Sequence, residues 1–218
     1  SDFPAAVVML GTVIAESVFT AILVGFFSVM GLLPWPNATS ANIAAVVFLR
    51  LLGVTLDRLQ AGVHLSPAVT IMLTTSGRVP AGECVQRLIG QLVGAPFLLL
   101  FVLHTLAGKT TLGDLGLPIP SGGAPWIVAI EGAATFCLLM LIFKSGSSLA
   151  ADVGGTVIGG VLCPRLSFAA SMNPAMTTFA ALVTGTSTAT SLALVGSLTA
   201  GVAFGLMDRQ GPSKLKQA

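Results

Sequence analysis

Long apolar runs alternate with short polar breaks along this chain of 218 residues. Residues 3–33 carry a single charge, Glu16, and residues 41–56 are interrupted by Arg50 and closed by Asp57-Arg58. Residues 88–106 form a third run, and residues 126–143 a fourth with Glu131 inside it. A fifth run begins at 153–162, and residues 192–206 lie in the sixth. A helix needs about 20 predominantly apolar residues to cross a bilayer, so the pattern predicts six spans. The breaks read as polar connections. Pro34-Trp35-Pro36-Asn37 is a turn with an aromatic ring at the membrane interface. Arg78, Glu83 and Arg87 mark a return to an aqueous surface. Residues 108–123 are a Gly/Pro-rich loop, 144–152 a polar connection, and 208–218 a polar, basic tail.

Two further apolar segments are too short to span. His64-Leu65-Ser66-Pro67-Ala68-Val69 and Ser171-Met172-Asn173-Pro174-Ala175-Met176 each place a small polar residue, then Pro, then Ala at the head of a short run. A polar N-cap followed by Pro at the first helical position starts a helix. The runs, 67–75 and 174–183, stop near Gly77 and Gly185. Interrupted apolar segments at matching places in two halves point to a transport site.

The halves echo each other elsewhere. Glu16 to Thr20 and Glu131 to Thr135 both read Glu-x-x-x-Thr, offset by 115 residues, and the two box centres are offset by 107. Each half then holds three spans and one half-span, within a single domain covering 1–218. An odd number of spans places the repeats, approximately 3–107 and 124–208, in opposite orientations, with both half-helices meeting at mid-membrane. With the N-terminus inside, Arg58, Arg78, Arg87, Lys144, Arg209, Lys214 and Lys216 face the cytoplasm, against Lys109 and Arg165 outside. The positive-inside rule therefore puts both termini in the cytoplasm.

Composition agrees. The chain is 54% hydrophobic and 8% charged, with a mean hydropathy of +0.95, where soluble domains carry about 25% charged residues. This is an integral, multi-pass protein of a lipid bilayer. A net charge of +2 makes no case for a nucleic-acid partner. Cys84, Cys137 and Cys163 lack metal-ligand spacing and read as small buried hydrophobes. No nucleophile–base pair or metal cluster points to an enzyme, and no cleavable signal is evident.

The residues now assembled resemble the aquaporin, or major intrinsic protein, family along essentially the whole chain. The carriers are Ala15-Glu16, the Gly62 to Val69 box, Gln91 with Gly94-Ala95, Glu131-x-x-x-Thr135 and the Ser171 to Ala175 box. Ser66 stands where the family's first Asn-Pro-Ala (NPA) box has Asn, and Met176 where an Arg follows the second. The resemblance implies an all-α bundle of six transmembrane helices and two re-entrant half-helices, a homotetramer with one pore per subunit, and passive conduction of water or small uncharged solutes without a cofactor. It also places the narrow filter at Val46, Val161, Ala170 and Met176, an apolar ring without the family's cation barrier. Such a filter would favour glycerol, or neutral urea, ammonia or peroxide.

The pore boxes, Ser66-Pro67-Ala68 and Asn173-Pro174-Ala175, carry helix N-termini whose partial positive charge repels cations and orients a passing water. Asn173 can cap with its carbonyl and donate from its amide; Ser66 can cap and donate with a shorter reach. Glu16 and Glu131 are costly in a bilayer. The family assigns such glutamates to bracing the re-entrant loops, with His64 and Gln91 in support. The rival is a proton or ion relay in a secondary transporter, and a third reading is a non-conducting structural relative. Arg50, four residues after Val46 and on the same face, has two readings of equal weight: it lines the pore, or it pairs with a buried glutamate or loop carbonyls.

Overall fold

In a computed structural model of the chain, the described residues are 5–30, 33–107, 124–145, 148–162, 170–185 and 188–210. Every regular element among them is helical. Helix α1 covers Ala5–Met30 and α2 Ala38–Leu59; the short α3 is Pro67–Thr75. Helix α4, Ala81–Ile89, runs through a π-type turn at Gly90–Gly94 into α5, Ala95–Ala107. Helix α6 is Ala124–Lys144, and α7, Ser148–Val157, enters a second π-type turn at Ile158–Leu162. The short α8 is Pro174–Thr184, and α9 is Thr188–Gln210.

Local chemistry sets these bounds. Asn37 caps α2 by accepting from the Ser40 amide at 2.9 Å, and Gln60 closes it in the left-handed region at φ 49°. Pro67 and Pro174 occupy the first turns of the two short helices, where a missing N–H costs nothing.

Among the described residues, five helices are long and apolar enough to cross a membrane: Val7–Met30, Ala38–Leu59, Ala81–Thr105, Pro125–Lys144 and Thr188–Arg209. Leu10, Leu51, Phe97 and Phe101 are exposed on their outer faces. The fifth expected span is described only as α7 and its π-type turn. Cys163, Pro164 and Arg165 lie outside the described residues, as do the loop 108–123 and the tail from 211.

Several expectations need correction. The third span does not begin at Leu88: helix resumes at Ala81, directly after Pro80. Glu83 and Arg87 are therefore helical, and Arg87 points back into the protein instead of marking the surface. The expected polar connection 144–152 is helical from Ser148, so Asp152 sits on α7. Asp208 belongs to α9 rather than to a tail, and it pairs with Lys144 at 2.7 Å and with Arg78. Cys84 is buried but Cys137 is exposed on α6.

The packing places α3 and α8 at the centre. Helix α6 packs along α9, α1 packs along α4 and α5, and α2 meets α7. Helix α3 lies on α9, α8 lies on α5 and α9, and the two short helices touch each other. Glycine makes the α6–α9 contact possible: a Cβ on Gly196 would lie 2.6 Å from the Val128 carbonyl oxygen. On the other side, a Cβ on Gly90 would lie 2.7 Å from Cβ of Glu16 and from the Val13 carbonyl oxygen. Small residues that let backbones approach are the main cohesive device between helices in lipid.

Gly196→Val should lower the thermal unfolding midpoint of the detergent-purified protein, since backbone atoms block the new side chain. Overpacking of this kind costs about 1–3 kcal/mol. Gly11→Ala, with nothing within 4 Å of the added Cβ, should leave the midpoint unchanged in the same measurement.

Candidate functional site

The residue preceding each box centre sits in the left-handed region, Leu65 at φ 62° and Met172 at φ 51°. Non-glycine residues there cost of order 1–3 kcal/mol and persist only when surroundings hold them. Two buried carboxylates do the holding. Glu16 accepts from the His64 amide at 2.8 Å and the Leu65 amide at 3.2 Å. Glu131 accepts from the Ser171 amide at 2.9 Å and the Met172 amide at 2.7 Å. Both carboxylates are almost fully buried, at 0% and 2% exposure. Each loop thus hangs on one carboxylate through two consecutive N–H donors.

The remaining carboxylate partners differ between the halves. Glu16 forms a 2.7 Å salt bridge with Arg87 and accepts from Gln91 Nε2 at 2.9 Å. Arg87 also donates to the Gly62 carbonyl and to Glu83. Gln91 reaches Glu16 because the π-type turn rotates it inward, and it also donates to Thr70 Oγ1 at 3.0 Å. Glu131 has no basic partner among the described residues and accepts instead from the hydroxyls of Ser171 at 2.8 Å and Ser197 at 2.9 Å. His64 places Nδ1 3.0 Å from Thr70 Oγ1.

The two box centres are also unequal. Asn173 Oδ1 caps α8 by accepting from the Ala175 amide at 3.0 Å, and Nδ2 donates across to the Leu65 carbonyl at 3.0 Å. One of its amide hydrogens therefore ties the two loops together rather than pointing into open space. Ser66 does not cap α3, against expectation. Ser66 lines a cavity, while its Oγ is buried and has no protein partner among the described residues. The start of α3 is kept by Pro67 and by the Thr70 amide bonding to the Ser66 carbonyl at 3.0 Å. A second buried hydroxyl on the same cavity, Thr135 Oγ1, is likewise without a protein partner.

The cavity has a volume of about 430 Å³ and runs past both box centres, between walls supplied by α1, α2, α6 and α7. Of the four expected filter positions, Ala170 and Met176 line it, both buried. The Val161 side chain lies outside the described residues. Val46 does not line it; Asn42, Ala45 and Leu49 do. One residue turns a helix by about 100°, so a shift of one position in the count from Ser66 swings Val46 off this face. Arg50, placed on the Val46 face, is exposed and does not line the cavity. Glu16 has Arg87 as its basic partner instead.

Asp152, Asn42 and Arg87 are the residues that sequence reasoning missed. For Arg87 a signal existed: Glu83 and Arg87 are four apart, and Arg87 precedes Gln91 by the same interval, so all three share one helix face. Among the described residues no group of three or more metal-ligating side chains is present.

Arg87→Leu would leave the Glu16 carboxylate buried without its cation. Removing one partner of a buried pair costs about 3–5 kcal/mol. The thermal unfolding midpoint of the purified protein should fall accordingly, and an unchanged midpoint would contradict this account of the first brace.

No family model matches the chain. Individual relatives do. The probable aquaporin AqpM of Archaeoglobus fulgidus is 31% identical over 150 residues, covering 64% of this chain and 58% of that protein. Aquaporin NIP1-1 of Zea mays is 32% identical over 161 residues, covering 66% of this chain and 52% of that protein. The chain therefore spans only a little over half the length of these two relatives. Aquaporin-5 of Sus scrofa is 30% identical over 179 residues, 76% of this chain and 67% of that protein. With braced loops, paired half-helices and these relatives in agreement, the chain belongs to the aquaporin family.

Proposed function

We propose that the protein is a passive transmembrane channel for water and small uncharged solutes. The observation that carries this reading is the meeting of α3 and α8 on one cavity, their loops joined by the bond from Asn173 Nδ2 to the Leu65 carbonyl. Each N-terminus presents unsatisfied N–H groups and about half a positive charge. Together they disfavour cations and attract the oxygen of a neutral permeant. The names of the relatives, all aquaporins, support the same reading.

The permeation path runs along the cavity, past Ser66 and Asn173 and through an outer constriction that includes Ala170 and Met176. Met176 supplies no charge where an Arg would screen solutes, so glycerol-sized solutes pass with water. Further parts of the proposal are inverted repeats spanning about 3–107 and 124–208, cytoplasmic termini, and a homotetramer. Glu16 and Glu131 are braces rather than coupling-ion sites, since both carboxylates are engaged by loop amides.

Stopped-flow light scattering on proteoliposomes tests the channel. Shrinkage in an impermeant osmolyte should be faster than in empty liposomes, and glycerol should give shrinkage followed by re-swelling. Uptake should be linear in solute gradient, without saturation or ion coupling. Rates equal to those of empty liposomes for every solute would favour the non-conducting reading. Met176→Arg should lower glycerol flux by roughly tenfold, the equivalent of about 1.4 kcal/mol of added barrier, while sparing most water flux.

A further inference from the structure

The outer end of the cavity contains a polar group that the four-position filter does not include. Asn42, on α2, lines the cavity, and so does Gly160, within the π-type turn that ends α7. The two are in close contact. A Cβ built on Gly160 would lie 2.3 Å from Asn42 Oδ1, 3.2 Å from Cγ and 3.6 Å from Nδ2. The amide therefore rests on bare α7 backbone, oxygen side nearest and Nδ2 farthest. Any side chain at Gly160 would displace it. The preceding Gly159 makes the same allowance for Met172, whose Cε would lie 2.7 Å from an added Cβ. Two glycines in one widened turn thus receive Asn42 from α2 and Met172 from the second box loop. Turns of this type recur at functional sites.

The surroundings give this amide its significance. Ala45, Ala170 and Met176 line the same cavity and are apolar. The charged group on the same wall, Asp152, is eight residues earlier on α7, about 12 Å along a helix at 1.5 Å per residue. Asn42 is one of several polar lining groups, with Thr156 one turn before Gly160 on the same wall and Asn173 at the second box, so water keeps other hydrogen-bond partners along the cavity. A small polyol or urea can lay its carbon edge on the wall and place a hydroxyl or amide on Asn42.

We propose that Asn42, seated on Gly160, is the solute-selecting group of this channel. Its amide forms a hydrogen-bonding subsite for a neutral polyol or urea. The inference rests on the channel reading above and adds the residue and the solute chemistry to it.

The experiment compares glycerol, urea and water permeability in proteoliposomes of the full chain and two variants. Asn42→Leu keeps the volume and removes the hydrogen bonds; Gly160→Ala keeps Asn42 and pushes its amide aside. Both should lower glycerol and urea permeability by roughly five- to tenfold, the scale of one lost hydrogen bond, with water permeability within twofold of wild type. Size-exclusion elution and the thermal midpoint report folding, and Asn42→Leu carries the test alone should Gly160→Ala fail to assemble. An unchanged solute-to-water ratio in Asn42→Leu overturns the subsite, as does a parallel fall in all three permeabilities, which would mark Asn42 as a steric element. A wild-type protein that passes water but excludes both solutes overturns it too. A wild type that passes none of the three is a different failure, that of the channel reading itself.

Discussion

Two buried carboxylates decide the shape of this protein's centre. A half-helix that stops within a bilayer leaves its loop with amides that lipid cannot satisfy. Glu16 and Glu131 accept those amides pairwise, and in doing so they fix Leu65 and Met172 in a backbone conformation that neither would adopt alone. Removing the braces would free the loops, and with them the position of Pro67 and Pro174. The rest of the fold serves this arrangement. The π-type turn at Gly90–Gly94 brings Gln91 to the first carboxylate, and the serines on α9 and the second loop reach the second.

The braces reach the same geometry by different chemistry. The first is charged, with Arg87 compensating Glu16 at the edge of the bundle. Among the described residues, the second is met by hydroxyl and amide donors alone. A pseudo-symmetric fold requires equivalent backbone positions, not equivalent side chains. The close glycine contacts obey the same logic: Gly90 and Gly196 each admit a neighbouring helix, one against Glu16 itself and one beside Glu131.

Much of this was legible in the sequence because apolar run length and helix-start chemistry are local signals. The two boxes, the short helices after them and the paired Glu-x-x-x-Thr motifs all lie in contiguous residues. What was not legible depends on how helices rotate against each other. Val46 and Ala45 differ by one position, yet only Ala45 faces the cavity. Arg87 reads as a surface marker because an arginine ordinarily seeks water; its partner lies 71 residues away in sequence. Asp152 reads as part of a polar connection because Ser148 and its neighbours carry no strong helix signal. Asn42 was hidden for another reason. Its place depends on the missing side chain of Gly160, on a different helix, and no property of Asn42's own segment reveals that.

The hydroxyl of Ser66 makes the two box centres unlike as hydrogen-bonding ends. A pair of amide groups at both box centres would match in donors and acceptors. A hydroxyl is a rotor that both gives and takes. With Ser66 Oγ buried and without a protein partner among the described residues and Asn173 half committed to Leu65, that match is lost. What the two helix ends still share is their electric field, a long-range effect that the substitution of one side chain leaves in place.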